Sequence, residues 1–183
     1  MSEAKARSRA AQQFGICLKA FRKRGGLDVS PNGCGARRTT SIVKDGTLVL
    51  SESGCHDCSP TKIDFTVTVK SMQAIDLPST GSAVVTKLDG PKLSVKLPGT
   101  GSIQLSGRVG DLNISASGTG ACNAEQLTAK NATVVLSGTG NVRVNATDSL
   151  DAKLTGTGSI LYLGSPKLTQ SNTGTGKIQP DTH

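Results

Sequence analysis

Apolar and polar residues alternate through much of this chain. Ile63, Phe65, Val67 and Val69 are separated by Asp64, Thr66 and Thr68, the period of a strand with one buried face. Met72 to Leu77 reads as another strand, with Ile75 and Leu77 inward. Beyond it the alternation falls into a repeating frame. Each frame closes on a tripeptide: Gly99-Thr100-Gly101, Gly118-Thr119-Gly120, Gly138-Thr139-Gly140, Gly156-Thr157-Gly158 and Gly174-Thr175-Gly176, after an imperfect first copy, Ser79-Thr80-Gly81. The second glycines fall at 81, 101, 120, 140, 158 and 176, in steps of 18 to 20 residues. Two and four residues beyond them stand apolar pairs: Ala83/Val85, Ile103/Leu105, Cys122/Ala124, Val142/Val144, Ile160/Tyr162 and Ile178/Pro180. Eight, six and four residues before them stand Leu93/Val95/Leu97, Leu112/Ile114/Ala116, Ala132/Val134/Leu136 and Leu150/Ala152/Leu154, with Gln73/Ile75/Leu77 and Leu168/Gln170/Asn172 at the two ends.

This spacing predicts an all-β fold, a single-stranded parallel β-helix (β-solenoid) of about 18–20 residues per coil. Each coil has two short strands, joined through the tripeptide and then by a looser link of five to seven residues. One coil cannot bury its own inward row, so stacking does it. The tripeptide glycines suit a corner that needs positive φ, or one where two coils approach closely. Stacking lines up Thr100, Thr119, Thr139 and Thr157 as a surface ladder, with hydroxyls expected to bond along the row. Gln170 and Asn172 are polar where other coils are apolar, which blunts the final sheet edge.

The chain before the repeats has a different character. Ser41–Lys44 and Thr47–Leu50 flank Asp45-Gly46, a hairpin signal because both centres of a type I′ turn need positive φ. Leu27-Asp28-Val29 reads as a short strand ended by Pro31-Asn32-Gly33. Ala4–Ala20 is open to a short helix, although its apolar positions make no clean stripe. The organisation is then a basic, flexible segment over 1–26, an N-terminal hairpin and strand cap with the first coils over 27–76, repeats over 77–180, and a tail over 181–183.

Composition narrows the function. There are 22 glycines, no tryptophan, one tyrosine and three phenylalanines, so Val, Ile, Leu and Ala must fill the narrow interior. The net charge is +8, and residues 1–26 carry seven basic residues against one acid. The chain beyond residue 26 is close to neutral, at about +2, and nothing on the repeats suggests aromatic base stacking, so no nucleic-acid partner is expected. Residues 1–26 hold no apolar run of signal-peptide length, and no stretch of about 20 apolar residues spans a membrane.

The five cysteines leave one unmatched. Cys55 and Cys58 have the two-residue spacing of a metal or redox pair, and Cys34 and His56 are candidate further ligands. A second Cys-x-x-Cys is absent. A local disulfide, a Cys34 bridge and free thiols in a loop are the alternatives.

Taken as a set, the repeats over 63–180 resemble the GIN domain, the auto-transporter adhesin head domain family (DUF2807). The lead-in Lys44-Asp45-Gly46-Thr47-Leu48-Val49-Leu50 and the late Ser159-Ile160-Leu161-Tyr162-Leu163-Gly164-Ser165-Pro166 are similar to the family's opening and closing parts. The resemblance implies a right-handed β-helix, a secreted or cell-envelope location and no established enzymatic activity. Family members commonly carry Asp after the second glycine. Here that place holds Ser82, Ser102, Ala121, Asn141, Ser159 or Lys177, which removes the ligands a calcium-binding β-roll would use.

The remaining chemistry is sparse. No phosphate-binding Gly-x-x-x-x-Gly-Lys-Ser/Thr occurs. The coil acids Asp89, Asp111, Glu125, Asp148 and Asp151 recur at no common aligned position, although Glu125 and Asp148 could meet between coils. Both histidines, His56 and His183, lie outside the repeats. Ordered water on the threonine ladder, as on ice-binding solenoids, usually needs two threonines per coil. The sequence therefore predicts a non-catalytic surface or envelope scaffold without a cofactor, whose partner is a surface glycan or protein. The alternatives are a carbohydrate-binding or carbohydrate-active β-helix and a self-associating structural domain.

Overall fold

The computed structural model describes residues 72–78 and 81–181 in full and, before them, the backbone of six strands. These six are β1 (Ala4–Ala10), β2 (Gly15–Ala20), β3 (Asp28–Asn32), β4 (Thr39–Lys44), β5 (Thr47–Glu52) and β6 (Ile63–Val69). The solenoid follows as β7 (Met72–Asp76), β8 (Ser82–Leu97), β9 (Ser102–Ala116), β10 (Ala121–Leu136), β11 (Asn141–Leu154), β12 (Ser159–Leu163), β13 (Lys167–Asn172) and β14 (Lys177–Pro180). It makes about six turns, with no helix among the described residues.

The N-terminal strands differ from the helix left open over Ala4–Ala20. β1 lies antiparallel between β6 and β8, and β2 antiparallel between β5 and β7. Ala4-Lys5-Ala6-Arg7-Ser8-Arg9-Ala10 alternates with period two, which suits a strand and explains the missing helical stripe. β4 and β5 form the expected hairpin, with Lys44 opposite Thr47. β3 runs on through Pro31 to Asn32, into the Pro31-Asn32-Gly33 turn expected to end it. The first coils are thus met by antiparallel strands, while every later pairing from β7 to β14 is parallel.

The register confirms the alignment on the glycines. Ile103 pairs with Cys122, Cys122 with Val142 and Val142 with Ile160. The inward residues of the central coils are buried, among them Leu93, Leu112, Val134, Leu136 and Leu154. Burying one such side chain contributes about 1.5–3 kcal/mol. At the first coil the inward position falls to Met72, not Gln73, which is exposed.

The link between the two strands is more ordered than the sequence implies. Leu88, Val109, Leu127, Ala129 and Ala146 are buried there and add inward residues at two register positions, Leu88 and Leu127 on either side of Gly107, and Val109, Ala129 and Ala146. One or two apolar residues in a link have too short a period to read, so these positions are invisible until coils are stacked. The variable step is absorbed on this side. Lys87, with φ 59°, lies in the register break between Val85 and Leu88, and another break lies between Asn123 and Gln126.

The tripeptide corner is the tightest part of the stack. Its glycines do not need positive φ; among the described glycines only Gly107 (133°) and Gly164 (92°) have it. The reason is close approach. A Cβ on Gly118, Gly138, Gly156 or Gly174 would fall far inside 3.0 Å of a carbonyl oxygen in the coil before. Backbone bonds run coil to coil here, from Gly118 N to Leu97 O (3.3 Å), Thr139 N to Gly118 O (3.2 Å) and Thr157 N to Gly138 O (3.2 Å).

The final corner is closed by a side chain. Asn172 Nδ2 donates to Gly176 O (2.9 Å), and its Oδ1 accepts from Gly174 N (3.1 Å). The polar residue at a normally apolar position thus satisfies backbone groups at the end of the stack.

Candidate functional site

The side running from the link to the tripeptide corner carries regular outward rows. One row is Lys92, Asp111, Asn131, Ser149 and Lys167, and the next is Ser94, Asn113, Thr133, Asp151 and Thr169. A third is Lys96, Ser115, Val135, Lys153 and Ser171. Neighbouring strands lie about 4.8 Å apart and alternate residues about 7 Å apart, so the side is a grid of mostly short polar side chains. Val135, 36% exposed, is the exposed large hydrophobic among the described residues.

At the corner Thr100, Thr119, Thr139 and Thr157 are all exposed. A second hydroxyl row stands three residues before the second glycine, at Ser117, Ser137, Thr155 and Thr173, also exposed. This row is hidden when coils are aligned on apolar positions alone and emerges when the polar positions are aligned as well. Among the described residues no side-chain hydrogen bond joins Thr100, Thr119, Thr139 and Thr157, so the ladder's hydroxyls are left to other partners.

Bonding along the stack occurs in a different row. Ser149 Oγ donates to Asn131 Oδ1 (2.9 Å), and Asn131 Nδ2 donates to Asp111 Oδ1 (3.0 Å). Three exposed side chains on three coils are thereby held in fixed orientations. On the side after the corner, Arg143 lies between two acids, with Nη1 3.6 Å from Glu125 Oε2 and Nε 3.4 Å from Asp181 Oδ2. Glu125 and Asp148 do not meet. Glu125 faces Arg143, and Asp148 accepts from Thr147 Oγ1 (2.7 Å).

Among the described residues no group of three or more His, Cys, Asp or Glu stands together. Asp111 and Asp151 are two coils and one row apart, about 12 Å by strand spacing. That exceeds the roughly 5–9.5 Å separating the paired carboxylates of glycoside hydrolases. Cys122 is buried in the core, and desolvation pushes its thiol up to about 12, which removes it as a nucleophile. Cys34, Cys55, His56 and Cys58 lie outside the described residues. No helix among the described residues is long and apolar enough to cross a membrane.

Residues 36–166 match the family described as "Putative auto-transporter adhesin, head GIN domain" (DUF2807). No curated protein and no solved structure matches the chain.

Proposed function

This chain belongs to the GIN head-domain family, and from that premise we propose that it is a non-catalytic binding head working at a cell surface or in the envelope. The observation that carries this reading is the grid of exposed hydroxyl, amide and lysine side chains between the link and the tripeptide corner. A flat surface of that kind holds a partner by many weak contacts spread over several coils. The two hydroxyl rows at the corner supply donors and acceptors at a fixed repeat, with a rigid core beneath them.

A surface glycan is the partner the side favours. Asp111, Asn131 and Ser149 are pre-oriented by their own hydrogen bonds, which lowers the entropy lost when they bond to sugar hydroxyls. The test is a glycan array probed with the intact protein and with a Thr119→Lys, Thr139→Lys variant, beside Lys177→Gln as a control on another side. Binding that falls about tenfold in the double variant alone supports the reading. An array without hits transfers the proposal to a protein partner. Steady turnover of a glycan, abolished by Asp111→Asn, refutes the non-catalytic reading.

A further inference from the structure

The basic residues of the first strands play no part in the binding side. Seven of them stand in residues 1–26 against one acid. Three of the seven, Lys5, Arg7 and Arg9, alternate with Ala4, Ala6, Ser8 and Ala10 along β1. β1 lies between β6 and β8, so its register decides which face each residue belongs to. Ala6 stands opposite Val85 and Ser8 opposite Ala83, both buried in the core. Directly opposite residues share a face of the sheet. Lys5, Arg7 and Arg9 therefore hold positions on the outward face, opposite Thr86, Val84 and Ser82. Alternate residues lie about 7 Å apart along a strand, so the stripe spans about 14 Å.

The register neighbours leave this patch net positive. Toward the solenoid they are Ser82, Val84 and Thr86, then Ser102 and Gln104, none of them acidic. On the other side Lys5 stands opposite Thr68, Arg7 opposite Thr66 and Arg9 opposite an acid, Asp64. One strand further, β3 adds Asp28 opposite Thr68. Lys87, exposed and next to Thr86, is a fourth base at the Lys5 end, and Asp89 beyond it is matched by Arg108 across the ladder. Arg7 is thus the centre of a row, with Ser30, Thr66, Val84 and Gln104, that holds no acid over five strands.

We propose that the outward face of β6, β1 and β8 docks on an anionic lipid membrane, with Lys5, Arg7 and Arg9 at the headgroups. Charge complementarity identifies the occupant. The bases are strung along a strand instead of converging on one point, which suits a plane of phosphate headgroups better than a single small anion. No aromatic residue holds an outward position on β1, β6 or the part of β8 beside them, so single-stranded nucleic acid finds no stacking platform. Each Lys or Arg near an anionic membrane surface strengthens binding about fivefold. β1 lies on the side after the corner, where it pairs with Ser82–Thr86, so the grid between the link and the corner stays free for a partner.

The inference does not depend on the glycan reading, and the full chain tests it. The assay is co-sedimentation with vesicles of mixed phosphatidylglycerol and phosphatidylcholine, beside vesicles of phosphatidylcholine alone. The unsubstituted protein should bind the anionic vesicles only, and release them as salt is raised. Lys5→Gln with Arg7→Gln and Arg9→Gln should bind about a hundredfold more weakly, and Lys5→Gln alone about fivefold. Lys92→Gln with Lys96→Gln and Lys153→Gln removes the same charge from the grid side and should change binding less than about threefold. Arg7→Lys with Arg9→Lys keeps the charge of β1 and should bind as the unsubstituted protein does. No binding to anionic vesicles overturns the proposal, and so does capture of a single-stranded oligonucleotide in their place. Equal losses in the two triple variants mean binding through net charge and overturn the site. A lysine variant as weak as the glutamine one overturns the electrostatic reading.

Discussion

Gly138→Ala tests the corner most directly. The added Cβ would lie far inside 3.0 Å of the Gly118 carbonyl oxygen, 2.7 Å from Ser117 O and 2.8 Å from Gly118 C. All three are backbone atoms, so no side chain can swing away. The coils must part locally by about 1 Å or more to reach ordinary contact. That takes the Thr139 N to Gly118 O bond from 3.2 Å beyond hydrogen-bonding range. The bonds from Thr157 N and Gly158 N to Gly138 O, at 3.2 and 3.3 Å, are disturbed on the other side. Two or three backbone bonds at about 1 kcal/mol each, with loosened packing beneath, give about 3–5 kcal/mol of destabilisation. Gly90→Ala is the matched control, because nothing lies within 4 Å of a Cβ there; its effect should stay within about 0.5 kcal/mol. Urea unfolding followed by far-ultraviolet circular dichroism reads both. A Gly138→Ala protein within about 1 kcal/mol of the unsubstituted one refutes the close-approach argument.

Three further outcomes are expected. Leu127→Ala, in the buried part of the link, should cost about 2–5 kcal/mol in the same urea assay; a loss below about 1 kcal/mol means the link is not core. Asn131→Asp sets a carboxylate against Asp111, 3.0 Å from the present amide nitrogen, and should cost about 1 kcal/mol at neutral pH. That penalty should fade as pH drops through the carboxylate range, and a pH-independent difference contradicts the relay. Cys122, raised to about 12 from 9.0, should resist thiol reagents in the folded protein and react on unfolding. Its native pKa exceeds the unfolded one, so its contribution is intact below about pH 9 and falls by about 1.4 kcal/mol per unit above it, towards pH 12. Cys122→Ala should flatten the stability profile in that window.

Most of the architecture was legible because stacked coils repeat one constraint. Ile103, Cys122 and Val142 share a place in three frames, and the register puts them against one another. The inward positions of the link were not legible. Leu88 and Val109 stand singly among turn residues, Leu127 and Ala129 form only a short pair, and coils of unequal length shift their offset from the glycines. The glycines themselves left two explanations open, and only the distance to the next coil decides between them. On the surface, the threonine ladder was readable from identity alone. The bonded row of Asp111, Asn131 and Ser149 was not, because three different residue types carry it. Arg143 and Asp181 lie 38 positions apart and meet only through two turns of the stack.

The unequal tolerance of the two corners has a consequence for engineering. Coils here differ in length by up to two residues, and the register breaks at Val85/Leu88 and Asn123/Gln126 take up the difference. The glycine corner lacks room even for a methyl group. Foreign peptides grafted at the link near Asp89-Gly90 or Asp148 should therefore be displayed at intervals of one coil, about 4.8 Å, without disturbing the stack. The same graft at a tripeptide should end it. The domain is in this sense a ruled rack with one fixed rail, and its open side is where new specificities can be added by insertion.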